Sequence, residues 1–166
     1  MLIDIGDPPV EPVSLSETKT FLRVDHDEDD ALINTLIASA RASLEAHLNV
    51  AMIARPMQVS TEAASEIRLP RWPVIQIDTV LSDGEPATGF TPNLRRRPST
   101  LCVRATDFVE VAFTAGFGST REDIPAPLRQ AMLLLVARAY EYRDDTPSSM
   151  PLMVDALTMP YRVVGL

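Results

Sequence analysis

Apolar residues recur along the chain in two different rhythms. In "DALINTLIASARASLEAHLN", Leu32, Ile33, Leu36, Ile37, Ala40, Leu44 and Leu48 return every three or four residues, which places them on one stripe of a long helix. Upstream, "SLSETKTFL" reads as a short helix over about 14–22. Its Ser14 and Glu17 have the spacing of a reciprocal capping box. From Met57 to Gly116 the rhythm changes. "MQVST", "EIRLP", "VIQIDTVLSDG", "TLCVRA" and "FVEVAFTAG" are β-branched, partly alternating and broken by Gly and Pro, which predicts strands, with Val74, Ile75, Ile77 and Val80 carrying a central one and "SDGEPATGF" a hairpin tip. "GFGST" (116–120) reads as the turn from strand to helix. Helical spacing returns in "IPAPLRQAMLLLVARAYEYR", a second long helix over about 127–143, opened by Pro125 and Pro127, which cost nothing where the amides are unpaired.

This order predicts an α+β fold: a mainly helical frame of one short helix, two long helices and a short C-terminal helix, with a small antiparallel β insert at about 57–116. Residues 1–13, with Pro8, Pro9 and Pro12, read as an extended arm, and 14–143 as the body. Residues 144–166 read as a linker ("DDTPSS"), a short helix ending before Pro160, and an apolar tail. Met132, Leu133, Leu134, Leu135 and Val136 cannot share one face of a helix. The second long helix is therefore either central to the core or shared with a neighbouring subunit. The tail holds Tyr161, Arg162, Val163, Val164 and Leu166. Apolar residues after a linker read as a docking peptide rather than as core.

Candidate chemistry is sparse. "DHDEDD" (25–30) offers clustered acids, but the helix follows at once and no glycine supplies the turn of a calcium loop. The acids therefore read as first-turn residues that complement unpaired amides and the helix dipole, with Asp27 a candidate cap. His26 and His47, about six helical turns apart along the chain, do not converge. No GxGxxG, P-loop, HExxH, CxxC or GxSxG motif occurs. Cys102, the one cysteine, excludes an internal disulfide and reads as a small core residue. Trp72 reads as packing at a strand edge. Arg95, Arg96 and Arg97, between Pro92 and Pro98, form either a clamp for phosphate or an acidic partner, or a solvated loop. No catalytic residue, metal or cofactor is expected.

Charge narrows the picture further. A net charge of −8 and a pI of about 4.7 argue against a protein that grips nucleic acid through its phosphates. Lys19 is the only lysine; the remaining bases are arginine, favoured in planar ion pairs and at interfaces. No apolar run reaches transmembrane length, and the first residues have no signal-peptide pattern.

"EPVSLSETKTFLRVDHDEDDALINTLIASARASLEAHLN" resembles the N-terminal signature of the tailed-phage head–tail connector family, also called adaptor or head-completion proteins. "VEVAFTAGFGSTREDIPAPLRQAMLLLVARAYEYRD" and "LMVDALTMPYRVV" are similar to its second half. Where relatives end the long helix with a glycine, this chain has Asn49, the next best residue for that left-handed position. The resemblance implies a structural role without catalysis: a ring, usually dodecameric in such proteins, beneath a capsid portal, extending the DNA channel and giving the tail its docking surface. It implies as partners the portal, a tail-side connector, stopper or terminator protein, further copies of the chain, and double-stranded DNA passing without sequence-specific binding. It places the protein at the head–tail junction of a phage or gene transfer agent particle assembled in the bacterial cytoplasm, with no membrane partner. The competing readings are a soluble regulatory or small-molecule-binding α+β domain and, as an enzyme, a metal-dependent nuclease using the acids at 25–30.

Overall fold

The computed structural model describes residues 2–4, 8–87, 89–104, 107–142 and 150–163. The fold is α+β. Its helices are α1 (Leu15–Leu22), α2 (Asp30–Leu48), α3 (Ala126–Glu141) and α4 (Leu152–Thr158), the last running into a 3-10 turn at Met159–Tyr161. The strands are β1 (Leu2–Asp4), β2 (Arg55–Glu62), β3 (Ile67–Arg68), β4 (Val74–Ser82), β5 (Glu85–Pro86), β6 (Phe90–Asn93), β7 (Thr100–Val103) and β8 (Phe108–Ala115). They form an antiparallel five-stranded sheet, ordered β1-β2-β8-β4-β5, and a three-stranded one, ordered β3-β7-β6. Leu2–Asp4 of the expected arm are thus a strand, paired with Met57–Val59.

Helix boundaries follow local chemistry. The Ser14 hydroxyl accepts from the Glu17 amide at 3.0 Å, so the expected cap is present. The Glu17 carboxylate does not complete the box; it accepts from Arg129 on α3 at 2.6 Å. Helix α2 ends at Asn49, whose φ of 57° is the left-handed cap expected there. A hairpin joins β4 to β5 through Asp83 and Gly84, both at positive φ (54° and 86°), as two-residue hairpin turns require. Gly116, at φ 150°, passes so close to the chain that an added Cβ would lie 2.3 Å from the Ala54 nitrogen. "GFGST" is therefore the strand-to-helix turn, and Thr120 and Asp123 close a capping box beyond it.

Two apolar clusters result. The helical one contains Ile33, Ile37, Leu44 and Leu48 of α2, Leu128, Met132 and Val136 of α3, and Val13, Val154 and Val163. The other lies between the sheets and contains Met57, Val59, Leu69, Leu101, Val109, Val111 and Phe113. Strand β8, central in its sheet, alternates as a half-buried strand should: Val109, Val111, Phe113 and Ala115 face inward. In β4, two register shifts interrupt the pairing with β8, so Val74 and Val80 are buried while Ile75 is half exposed. Residues 50–53, fully buried, run between the clusters. The Ala51 amide donates to Trp72 O (2.9 Å), and the Phe117 amide to Met52 O (3.1 Å).

Candidate assembly surface

The acids at 25–30 hold α1 against α2. Helix α2 starts two residues later than a cap at Asp27 requires; Asp29 is its N-cap and makes no side-chain cap bond. Asp27 and Asp30 instead accept from Lys19 Nζ at 2.6 and 2.7 Å, and Asp29 accepts from the Tyr140 hydroxyl of α3. The expected cap at Asp27 is thus corrected: a lysine one helix away offers a charged donor, which outcompetes the local amides. These hydrogen bonds, the one to Asp27 foremost, raise the Lys19 pKa, and Lys19 lowers that of Asp27. Among the described residues, no group of three or more His, Cys, Asp or Glu could hold a metal ion.

A second charged cluster escaped sequence reasoning. Glu45, 3% exposed, accepts from Arg55 through both guanidinium nitrogens (2.9 and 2.9 Å) and from the Met52 amide (2.6 Å). Arg41, one turn back, adds a longer contact at 3.4 Å and donates to Glu11 at 2.9 Å. The node joins α2, β2, the buried 50–53 segment and the arm. Its signal was present: Arg41 and Glu45 fall among the stripe positions Ile37, Ala40, Leu44 and Leu48, where an exposed pair would not. On a helix surface a pair in base-then-acid order adds little. Buried and shared with Arg55, it is a different interaction.

The apolar block on α3 divides. Met132, Leu133 and Val136 are buried within their own chain, against α2 and α4; Leu134 and Leu135 are half-buried at the cluster's edge. Cys102 is exposed, which corrects the expectation of a core cysteine. Its neighbours Leu101 and Val103 point inward, and alternation along β7 turns it outward.

All three arginines of the loop are exposed, and two of them have partners. Arg96 pairs with Glu66 at 2.8 Å. The Arg97 guanidinium lies 3.7 Å from the Trp72 ring centroid and donates to Pro160 O at 3.0 Å. Arg95 is exposed. Trp72 meets Phe117 edge-on, centroids 5.5 Å apart, and Phe117 meets Tyr161 at 6.2 Å.

The C-terminal segment therefore packs on its own chain, contrary to the expectation that it has no place there. Val154 and Val163 belong to the helical core. The Val163 amide donates to Leu48 O at 2.9 Å, and Asp155 lies 3.0 Å from His47 Nε2. The end of α2 is closed from the C-terminus, far along the chain. Arg162 is exposed; Val164 and Leu166 lie outside the described residues. The outward side of this segment is apolar: Leu152, Met153 and Met159 are 88%, 66% and 68% exposed. With Ala156, Leu152 and Met159 follow i, i+4, i+7 spacing, one face of a helix. Apolar side chains gathered on one exposed helix face form a candidate contact surface. No helix among the described residues is long and apolar enough to cross a membrane.

Comparison with known proteins points the same way. Residues 12–77 match the family model described as phage gp6-like head-tail connector protein. No curated protein matches the chain. Among solved structures, a chain in the neck of an empty GTA particle computed with C6 symmetry superposes with a TM-score of 0.82 at 25% identity. A chain in the virion of a native gene transfer agent particle gives 0.82 at 26%, and one in the native GTA neck computed with C12 symmetry gives 0.79 at 27%. Each match covers 100% of this chain and 97% of the other. The resemblance read from the sequence is thereby borne out: residues 12–77 carry the head-tail connector signature, and the chain from end to end has the fold of these gene transfer agent proteins.

Proposed function

We propose that the chain is a structural head–tail connector, which forms a ring beneath a capsid portal, extends the DNA channel and gives the tail its docking surface. The observation that carries this reading is the end-to-end match, at 25–27% identity, to chains of gene transfer agent particles, two of them in necks computed with cyclic symmetry. The family match over residues 12–77 supports it independently. On this reading the protein is not an enzyme, and it resides at the head–tail junction of a phage or gene transfer agent particle. Its partners are the portal, a tail-side connector, stopper or terminator, and further copies of itself in a ring of about twelve, the symmetry of the matched native neck. DNA passes through without being read. The net charge of −8 suits a conduit, because a wall that attracted phosphate strongly would hold the DNA.

The half-buried Leu134 and Leu135 face the neighbouring copy. The portal contact is built from the outward face of α4, Arg162 and the last residues, including Val164 and Leu166; Tyr161 and Val163 anchor that segment to its own chain. Negative-stain microscopy of the protein mixed with its portal tests the reading. Rings, or portals with an added ring, support it; portals that stay bare beside a monomer contradict it. Removing residues 164–166, which spares Val163, weakens portal binding without lowering the melting temperature. Truncation after Met159 lowers both, because it also removes Tyr161 and the buried Val163.

A further inference from the structure

We infer that the arginine loop, together with Trp72 and Phe117, is a dock for the chain's own C-terminal segment, residues 159–163, with Arg97 as its positioning residue. Arg97 holds that segment by a stack and a hydrogen bond at once. Its guanidinium lies 3.7 Å from the Trp72 ring centroid while Nη1 donates to Pro160 O at 3.0 Å. A planar, forked cation can lay its face on the ring while an edge N–H donates; an ammonium has no flat face to stack. One residue on, Tyr161 extends the row of edge-to-face rings, Trp72–Phe117–Tyr161.

Beyond it, Val163 closes the dock from the other side. Its amide donates to Leu48 O (2.9 Å), one of the carbonyls a helix end leaves unpaired, and its own carbonyl accepts from Asn49 Nδ2 (3.2 Å). Its side chain is 6% exposed. Asn49 thus serves twice: its backbone takes the left-handed cap and its side chain grips the segment. A glycine would supply only the first. The segment is held by hydrogen bonds at Pro160 and Val163 and between them by ring contacts. The dock fixes the outward face of α4 and the direction in which the chain leaves Arg162. Release would bare Trp72, Phe117 and the Val163 site together. This inference does not rest on the connector reading and holds for the free chain.

Amide hydrogen exchange on the full-length protein tests it, comparing the wild type with Arg97→Ala, Arg97→Lys and Arg95→Ala. Arg97→Ala should speed exchange of the Val163 amide and of segment 159–163 by about tenfold, as losing one stack and one hydrogen bond implies. Arg97→Lys should resemble it, although the charge is kept. Arg95→Ala should leave the segment protected, and α2 and α3 should keep wild-type protection in every variant. Unchanged Val163 protection in Arg97→Ala overturns the inference. Equal deprotection in Arg95→Ala also overturns it, because loop charge rather than Arg97 would then be responsible. An Arg97→Ala protein that loses protection throughout α2 and α3 overturns it too, since Arg97 would then support the whole fold. Loss of portal binding with the dock intact would count against the connector proposal alone.

Discussion

The helical layer and the β layer leave their apolar surface uncovered in different ways. In the β layer the exposed apolar side chains are single and only part-exposed: Ile75 (49%), Phe90 (41%) and Phe108 (41%) sit on separate strands. Scattered exposure of this degree is ordinary for a folded surface. In the helical layer α2 and α3 bury their stripes, and the strongest exposure gathers on the short α4, where Leu152 reaches 88%. The helical layer covers two long helices and leaves the outer face of its last one apolar, the face that the connector proposal assigns to assembly.

The comparison breaks most completely where the layers are joined. Glu45→Ala leaves the buried guanidiniums of Arg55 and Arg41 without their shared carboxylate and should cost about 3–5 kcal/mol, seen as a large fall in the thermal midpoint. A loss below about 1 kcal/mol, the scale of an exposed pair, would show that the node does not hold the layers together. Gly116→Ala strikes the same seam through the backbone. A side chain at φ 150°, placed 2.3 Å from Ala54 N, should cost at least about 1–3 kcal/mol, measured by urea unfolding. On α4 the expectation reverses. Leu152→Ser with Met153→Ser should change stability by no more than about 0.5 kcal/mol yet abolish capture by immobilised portal; unaltered capture would return α4 to the ordinary surface.

Much of this was legible in the sequence because it depends on local chemistry. The stripe from Leu32 to Leu48, the cap at Ser14, the left-handed Asn49 and the turn at Gly116 are each set by neighbours within a few residues. What was missed depends on partners far along the chain. Asp27 looked like a cap because Lys19's reach across to it is a tertiary fact. The pairing of Glu45 is not visible locally, because Arg55 belongs to a strand that folds back to it. Val163 looked surplus because the α2 end it closes lies over a hundred residues earlier. Cys102 was misplaced because a short strand does not reveal which of its faces is covered.

The smallest effect concerns pH. Asp27 titrates below its ordinary value of 3.8 because Lys19 hydrogen-bonds its charged form. Its contribution is therefore present above that value and disappears as the pH falls through the depressed one. The Lys19 pKa is raised above 10.5, so its contribution persists up to that pH and is lost as the pH rises through the raised value. With Asp27 89% exposed, the pair contributes little. The slight difference in melting temperature between the wild type and Asp27→Asn should vanish in strong acid; a difference that survives there would assign it to packing instead.

The claim that the chain builds a neck ring is tested most directly by native mass spectrometry of portal assemblies incubated with an excess of the protein. The account predicts a discrete increase in mass equal to one full ring, about twelve copies by analogy with the C12 neck, with few partly filled assemblies. A portal mass that does not change, with all of the 18.3 kDa chain recovered as free monomer, would contradict it.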